Sequence, residues 1–309
     1  VATTCYHSTP AVACKSFNQA DKIPMVTMSV SKASAVPPAW TYLVLYTTAQ
    51  SMPLAVNWYH KQWQKKGLDR PMRLATVGAD SPYGRECCES VVLWAQKQPG
   101  IEVISSLWVS LMAMDYTSEL SLFKDKGVDV IVAAAHTTSG GMVARDAARV
   151  GLSKDVAIIN DMGGVITGAA LGLAGGEMDR ILTCHTLWSW AEDNPATRQW
   201  REIQQQYHGD VYESWDYPAA WLVSVVLVEA IERAMDKVGY EGLTGTATKD
   251  ALDTIKDWDT GTGAVISYGD YPDDRIAGEQ IRIFHYSYEK EGWLPITDFI
   301  PAPSIFEIE

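Results

Sequence analysis

What this sequence lacks removes most classes of function. It has no GxGxxG, no GxxxxGK[ST], no HExxH and no GxSxG, so nothing in it points to nucleotide, zinc-hydrolase or serine-hydrolase chemistry. The five cysteines (Cys5, Cys14, Cys87, Cys88 and Cys184) show no metal-ligand spacing, and the six histidines are scattered. No metal and no cofactor is therefore expected, and no catalytic residue is assigned. No apolar run reaches the roughly 18 residues that a membrane span requires. Basic residues are scarce: 25 Lys and Arg stand against 38 Asp and Glu, a formal net charge of −13. Such a surface repels nucleic acid, and no basic stripe overrides it. Phe is rare too, at 5 residues, whereas Trp and Tyr number 12 and 14. Those two combine an apolar face with a polar tip, which suits a solvent-accessible cleft, although most are expected in cores and helix seams.

The chain also lacks a leading Met, a charged n-region and a cleavage site. It opens on what reads as the end of a strand, directly before a helix start, and is expected to be a fragment whose beginning is absent. At 309 residues it is long for one core, and two domains are expected.

Strand and helix patterns alternate almost throughout. Extended segments are expected at Ile23 to Thr27, Tyr42 to Thr47, Arg73 to Gly78, Ile101 to Val109, Val128 to Ala135, Val156 to Ile159 and Ile181 to Leu187. Helices are expected at Leu54 to Lys66, from the turn Asp80 to Gly84 as far as Gln98, at Thr117 to Lys126 and at Gly141 to Val150. Longer ones follow at Asn194 to Tyr207, Trp215 to Val238 and Ala247 to Trp258, and Ile266 to Ser287 reads as extended structure returning to a sheet. Strands alternating with helices argue for an α/β fold with parallel, doubly wound sheets. The unbroken apolar run Val128 to Ala135 fits a strand covered on both faces.

In such sheets ligands bind beyond the carboxyl ends of the strands, where helix N-termini also point. His7-Ser8-Thr9-Pro10 falls at one such place, with Pro10 suited to a first helical turn and Ser8 or Thr9 to a cap. Free N–H groups, a positive dipole end and a hydroxyl together suit a carboxylate, and Ser8 can cap its helix as well. Met28-Ser29-Val30-Ser31, Asp80 to Gly84, His136 to Gly141 and Asn160-Asp161-Met162-Gly163 hold equivalent places. Each alone is a polar turn; together at one edge of two sheets they make a binding cleft.

Ser8-Thr9-Pro10-Ala11-Val12 and Ala20 to Thr27 resemble the first lobe of the leucine/isoleucine/valine-binding family, the type I periplasmic binding proteins of ABC importers. The resemblance continues through Asp80 to Arg85, Asp115 to Leu120, Gly127 to Ile131, Ala148 to Leu152 and the late helix Ala219 to Gly239, in order along nearly the whole chain. It implies the type I periplasmic binding protein fold: two Rossmann-like lobes with parallel sheets, joined by three crossover segments and closing on ligand. The first lobe would be residues 1–48 with 188–279, and the second 49–187 with 280–309. Against this pattern the chain lacks the family's opening βα units, about 60 residues or more.

By the same resemblance Ser8 and Ser31 match groups that hold a ligand carboxylate, with Ser29 beside them. Tyr83 matches a tyrosine lining the cleft, His136 stands where branched-chain binders place a tyrosine, and Asn160-Asp161 fall near the ammonium-binding acid. The function implied is an extracytoplasmic solute-binding protein, periplasmic or extracellular, with or without a lipid anchor. It would take a small carboxylate-bearing solute, an amino acid or an aromatic acid, and deliver it to an ABC-transporter permease. Two alternatives stay open: a ligand-sensing domain of a receptor or regulator, and an α/β enzyme using His136 and Asp161 as an acid–base pair.

Overall fold

The computed structural model describes residues 1–165, 167–209, 214–269, 275–278 and 280–304. The chain begins with β1 (Thr3–Cys5), α1 (Ser8–Asp21), β2 (Met25–Thr27), α2 (Lys32–Ala35) and β3 (Thr41–Leu43). It continues through α3 (Thr48–Gln64), β4 (Met72–Ala79), α4 (Pro82–Gln96), β5 (Ile101–Val109), α5 (Thr117–Asp125) and β6 (Val130–Ala134). Next come α6 (Ser139–Arg149), β7 (Ala157–Asn160), α7 (Gly168–Leu173), β8 (Ile181–His185), α8 (Pro195–His208), α9 (Asp216–Val238) and α10 (Gly245–Leu252). Short strands close the chain: β9 (Trp258–Asp259), β10 (Val265–Ile266), β11 (Gln280–Ser287), β12 (Gly292–Pro295) and β13 (Ile300–Pro301).

β1, β2 and β3 form a small parallel sheet, which Ile276 extends by a bridge to Leu43. The large sheet has the order β12-β11-β8-β7-β6-β4-β5, with β13 on β11. It is parallel from β5 to β8, and β11 runs antiparallel to its neighbours. Among the described residues the backbone thus passes between the two sheets at three places: from Leu43 to Thr48, after His185, and between Ile276 and Gln280. This is the two-lobed α/β arrangement that the sequence implies.

Side-chain alternation splits the large sheet's core into two layers. Leu74, Val130, Val132 and Ile159 face α3 and α4; Ala75, Val77, Ile131, Ala133 and Ile158 face the opposite layer. β6 is buried at every position, as the unbroken apolar run requires. β5, at the sheet edge, keeps Glu102, Ser106 and Trp108 exposed. Near the second crossing, Arg282 is buried against the rings of Trp188, Phe284 and Phe299, and its Nη1 lies 2.8 Å from Glu192 Oε1.

Local chemistry sets several boundaries, and some differ from expectation. α3 starts at Thr48 rather than Leu54, because Thr47 and Gln50 form a capping box and Pro53 lies inside the helix instead of opening it. Only Thr41–Leu43 pair as a strand; Val44 to Thr47 are buried crossover backbone. α10 ends at Leu252, and Trp258 belongs to a two-residue strand paired with Ile266. Of the extended stretch from Ile266, β11 holds residues 280–287, while residues 270–274 and 279 lie outside the described residues. α8 starts as expected, with Asn194 as its cap, whereas α4 starts at Pro82, inside the stretch Asp80 to Gly84 expected as a turn, because Ser81 caps it and Pro82 suits the first helical position.

Candidate solute-binding cleft

The carboxyl ends of β1, β2, β4, β5, β6 and β7 all face one cavity of about 700 Å³. One wall comes from the residues around the small sheet: Tyr6 to Pro10, Met28 and Val30. The other comes from the loops of the large sheet: Ser81, Tyr83, Leu111, Met112, Met114, Ala135 to Thr138, and Asp161 to Gly163. Four residues expected to bind solute, Ser8, Tyr83, His136 and Asp161, line this space. A second cavity of about 710 Å³, between Leu171, Trp190, Arg201 and Trp293, is lined by none of them.

Ser8 is the first residue of the 14-residue helix α1, so its hydroxyl sits at a positive dipole end. Ser29 and Ser31 do not line the cavity; both are buried behind it. Ser29 Oγ donates to Ser8 Oγ at 3.1 Å and lies 2.7 Å from Ser34 Oγ. Because Ser29 has one proton and gives it to Ser8, Ser34 must be the donor of the shorter bond. The relay Ser34 to Ser29 to Ser8 satisfies an acceptor site on Ser8 and leaves its proton free to turn towards the cavity.

Ser31 has a partner within the protein. Its hydroxyl donates to Glu86 Oε2 at 2.7 Å, the Lys32 N–H donates to both carboxylate oxygens at 2.9 Å, and Thr48 Oγ1 donates to Oε1 at 3.1 Å. Burial raises the Glu86 carboxyl above its ordinary range, with these donors pulling the other way. A carboxylate from α4 thus occupies the hydroxyl that the sequence offered to a ligand, and ties α4 to α2 and to the start of α3. Nothing local marks Glu86 in the sequence, where it is one more acid on a helix.

Asp161 is fully buried at the cavity floor. Tyr83 OH and the Gly163 N–H donate to its Oδ2, each at 3.2 Å, while Oδ1 has no partner. Burial pushes this carboxyl up to about 6, against the opposing hydrogen bonds from Gly163, Tyr83 and Met162. Asn160 points elsewhere: it is fully buried, packs against Gly164 and does not line the cavity. His136 has both ring nitrogens occupied. Nε2 is 3.1 Å from the Ala113 carbonyl, and the Thr138 hydroxyl lies 3.0 Å from Nδ1, with the Thr138 N–H donating to the same nitrogen. The carbonyl must accept, so the proton sits on Nε2 and both nitrogens are committed within the protein. His136 and Asp161 share no hydrogen bond.

Met28, Val30 and Met162 line the cavity from loops that the sequence pointed to, whereas Tyr6 and the loop residues Leu111, Met112 and Met114 were not expected there. That loop follows the strand Ile101–Val109, so the strand-end criterion applied to the other loops reaches it too; its apolar character hid it. The tryptophan excess lies elsewhere. No Trp lines the cavity, and Trp190, Trp200, Trp215 and Trp293 are buried in the core. Among the described residues no cluster of His, Cys, Asp or Glu could hold a metal, and no helix is long and apolar enough to cross a membrane.

Two lobes around a cavity at the strand carboxyl ends define a solute-binding protein that takes its ligand in a cleft. The chain belongs to the periplasmic binding protein family, whose profile matches residues 1–290. Solved structures with the same fold include a branched-chain amino acid ABC transporter protein from Thermus thermophilus with bound valine (TM-score 0.82, 19% identity, 99% of this chain and 79% of that one). A fatty acid ABC transporter substrate-binding protein from Thermomonospora curvata has a TM-score of 0.83 at 17% identity, over 98% and 75% of the two chains. A solute-binding protein from Rhodopseudomonas palustris in complex with p-hydroxybenzoic acid has a TM-score of 0.78 at 15% identity, over 99% and 79%. At such identities the likeness is one of fold. No curated protein matches the sequence.

Proposed function

We propose that this chain is the extracytoplasmic solute-binding component of an ABC importer, and that it binds a small carboxylate-bearing solute in the cavity and delivers it to the ABC-transporter permease. The observation that carries the reading is Ser8 at the N-terminus of α1, on the wall opposite the Tyr83–Asp161 pair. No Lys or Arg lines the cavity, so a carboxylate must be met by helix N–H groups and hydroxyls, which Ser8, Thr9 and the relay behind them supply. Asp161 Oδ1 asks for a donor on the same solute: the ammonium group of an amino acid or the hydroxyl of a phenolic acid. The family's solute-binding role and its periplasmic setting agree with this; binding and delivery require no catalytic step, and none is proposed.

Residues 1–48 with 188–279 and residues 49–187 with 280–309 would be the lobes that close by hinge rotation. Ser29 then serves by orienting Ser8, Ser31 by holding Glu86, and Asn160 by packing beneath the floor. A thermal-shift screen over amino acids, aromatic acids and their amides tests the reading. A ligand bound only by the native state raises Tm. The acid should stabilise and its amide should not, and Ser8→Ala with Tyr83→Phe should abolish the shift; an unaltered shift refutes the site.

A further inference from the structure

The loop between β5 and α5 carries the most exposed apolar side chains at the cavity. Leu111, Met112 and Met114 are 49%, 78% and 60% exposed, and all three line it. Their backbone is nonetheless held. The Ala113 N–H donates to the Ser110 carbonyl at 2.9 Å, the Ala113 carbonyl accepts from His136, and the Met114 carbonyl accepts from Arg145 Nη2 at 3.0 Å. Ala113 turns inward and packs on the core, while the three large side chains stay in water. A fixed backbone presenting unpacked apolar side chains at a cavity mouth contributes little to folding, and such a patch marks a binding surface.

The opposite side of the cavity is apolar as well. Met28 and Val30 follow β2, and Met162 lies on the floor beside Asp161. Polar groups stand around Ser8 with Thr9 on one wall and around Tyr83, His136, Thr138 and Asp161 on the other, and Met28, Val30, Leu111, Met112, Met114 and Met162 add thioether and aliphatic surface to the same lining. Methionine is unbranched and polarisable, and it adapts its shape to alkyl or aromatic partners. A cavity of about 700 Å³ also falls within the roughly 300–1,000 Å³ that accepts drug-sized ligands.

We propose that residues 110–114 form an apolar lid, and that the solute is a monocarboxylic acid whose body, apart from the one donor that meets Asp161, is hydrocarbon, alkyl or aryl. The inference rests on the reading of the cavity as a carboxylate-binding cleft and adds the class of the solute's body. Closure of the lobes would bring Leu111, Met112 and Met114 onto that body, opposite Met28 and Val30.

Calorimetric titration of the whole chain with butanoate, hexanoate, octanoate, 4-hydroxybenzoate, glutarate and 1-octanol tests it, repeated on Leu111→Ser/Met112→Ser/Met114→Ser. Affinity should rise by about fourfold for each methylene buried, glutarate should bind worst, and the variant should lose most of the dependence on length. Comparison of octanoate with 4-hydroxybenzoate decides whether the body is alkyl or aryl. The variant should melt no lower than the parent without ligand, because the three side chains are exposed. Carboxylates that bind equally at every length, or a length dependence that the variant keeps, would overturn the lid while leaving the carboxylate cleft standing. If octanol and octanoate bind alike and both weaken in the variant, the lid stands and the carboxylate reading fails. If none of the probes binds, the lid and the hydrocarbon body are overturned, while the carboxylate cleft stands or falls with the amino acids and aromatic acids of the thermal-shift screen.

Discussion

Asp161→Asn should stabilise the ligand-free protein, and only above a certain pH. The Asp161 carboxyl ionises near 6 in the folded chain against 3.8 for an unburied aspartate, a difference of about two units, or roughly 3 kcal/mol at about 1.36 kcal/mol per unit. Desolvation is the main cause; Glu86 adds a smaller repulsion, and Tyr83 and the N–H groups of Gly163 and Met162 oppose both. Because the folded carboxyl holds its proton more tightly than the unfolded one, the native state binds more protons between about pH 4 and pH 6. This group's contribution to stability therefore falls as pH rises through that window, and the full penalty applies above it. Asn matches the protonated acid in shape, keeps an oxygen for Tyr83 and Gly163, and leaves the Oδ1 position equally unpartnered. The variant should thus equal the parent near pH 4 and exceed it by about 3 kcal/mol at pH 8, a Tm difference of roughly 6–12 °C for a lobe of this size. Differential scanning calorimetry on both proteins from pH 4 to 8 reads this directly. A Tm difference that stays flat with pH, or a variant less stable at pH 8, refutes the account of Asp161 as a desolvated, half-partnered carboxylate.

Other perturbations probe separate parts of the reasoning. Ser8→Ala removes a donor to a charged group, about 1.5–3 kcal/mol, so titration calorimetry should show solute binding weakened by roughly 10- to 150-fold; a change under about threefold would count against Ser8. Glu86→Ala leaves the Ser31 and Thr48 hydroxyls and the Lys32 N–H without their shared acceptor, and urea denaturation should show a loss of about 2–4 kcal/mol. Glu86→Gln should cost less, since an amide oxygen still accepts. Gly141→Ala drives a Cβ into the Ala170 carbonyl and should force α6 and α7 apart, lowering stability by about 2 kcal/mol or more in the same assay.

Much of the fold was legible because its causes are local. Extended segments were expected at β4, β5 and β6, the last from its unbroken apolar run, and Asn194 marked the start of α8. At α3 the expectation of a start at Leu54 failed, and only the capping box of Thr47 with Gln50 shows that the helix begins at Thr48. The cleft was legible in outline through one topological rule, that ligands gather at strand carboxyl ends, which brought Ser8, Tyr83, His136 and Asp161 to one list.

The sequence by itself therefore determined the α/β class through its alternation of strand and helix, the two lobes through its family resemblance, and the strand-end loops proposed to meet the solute. Tertiary structure alone decided what each polar group there is free to do. Glu86, 55 residues from Ser31, takes that serine's hydroxyl; His136 commits both nitrogens to Thr138 and to the loop it anchors; and Ser8 keeps its proton because Ser34 and Ser29 stand behind it. Hydrogen-bond partners between distant segments leave no trace in local pattern, because pattern records which face a residue occupies and not what it meets there.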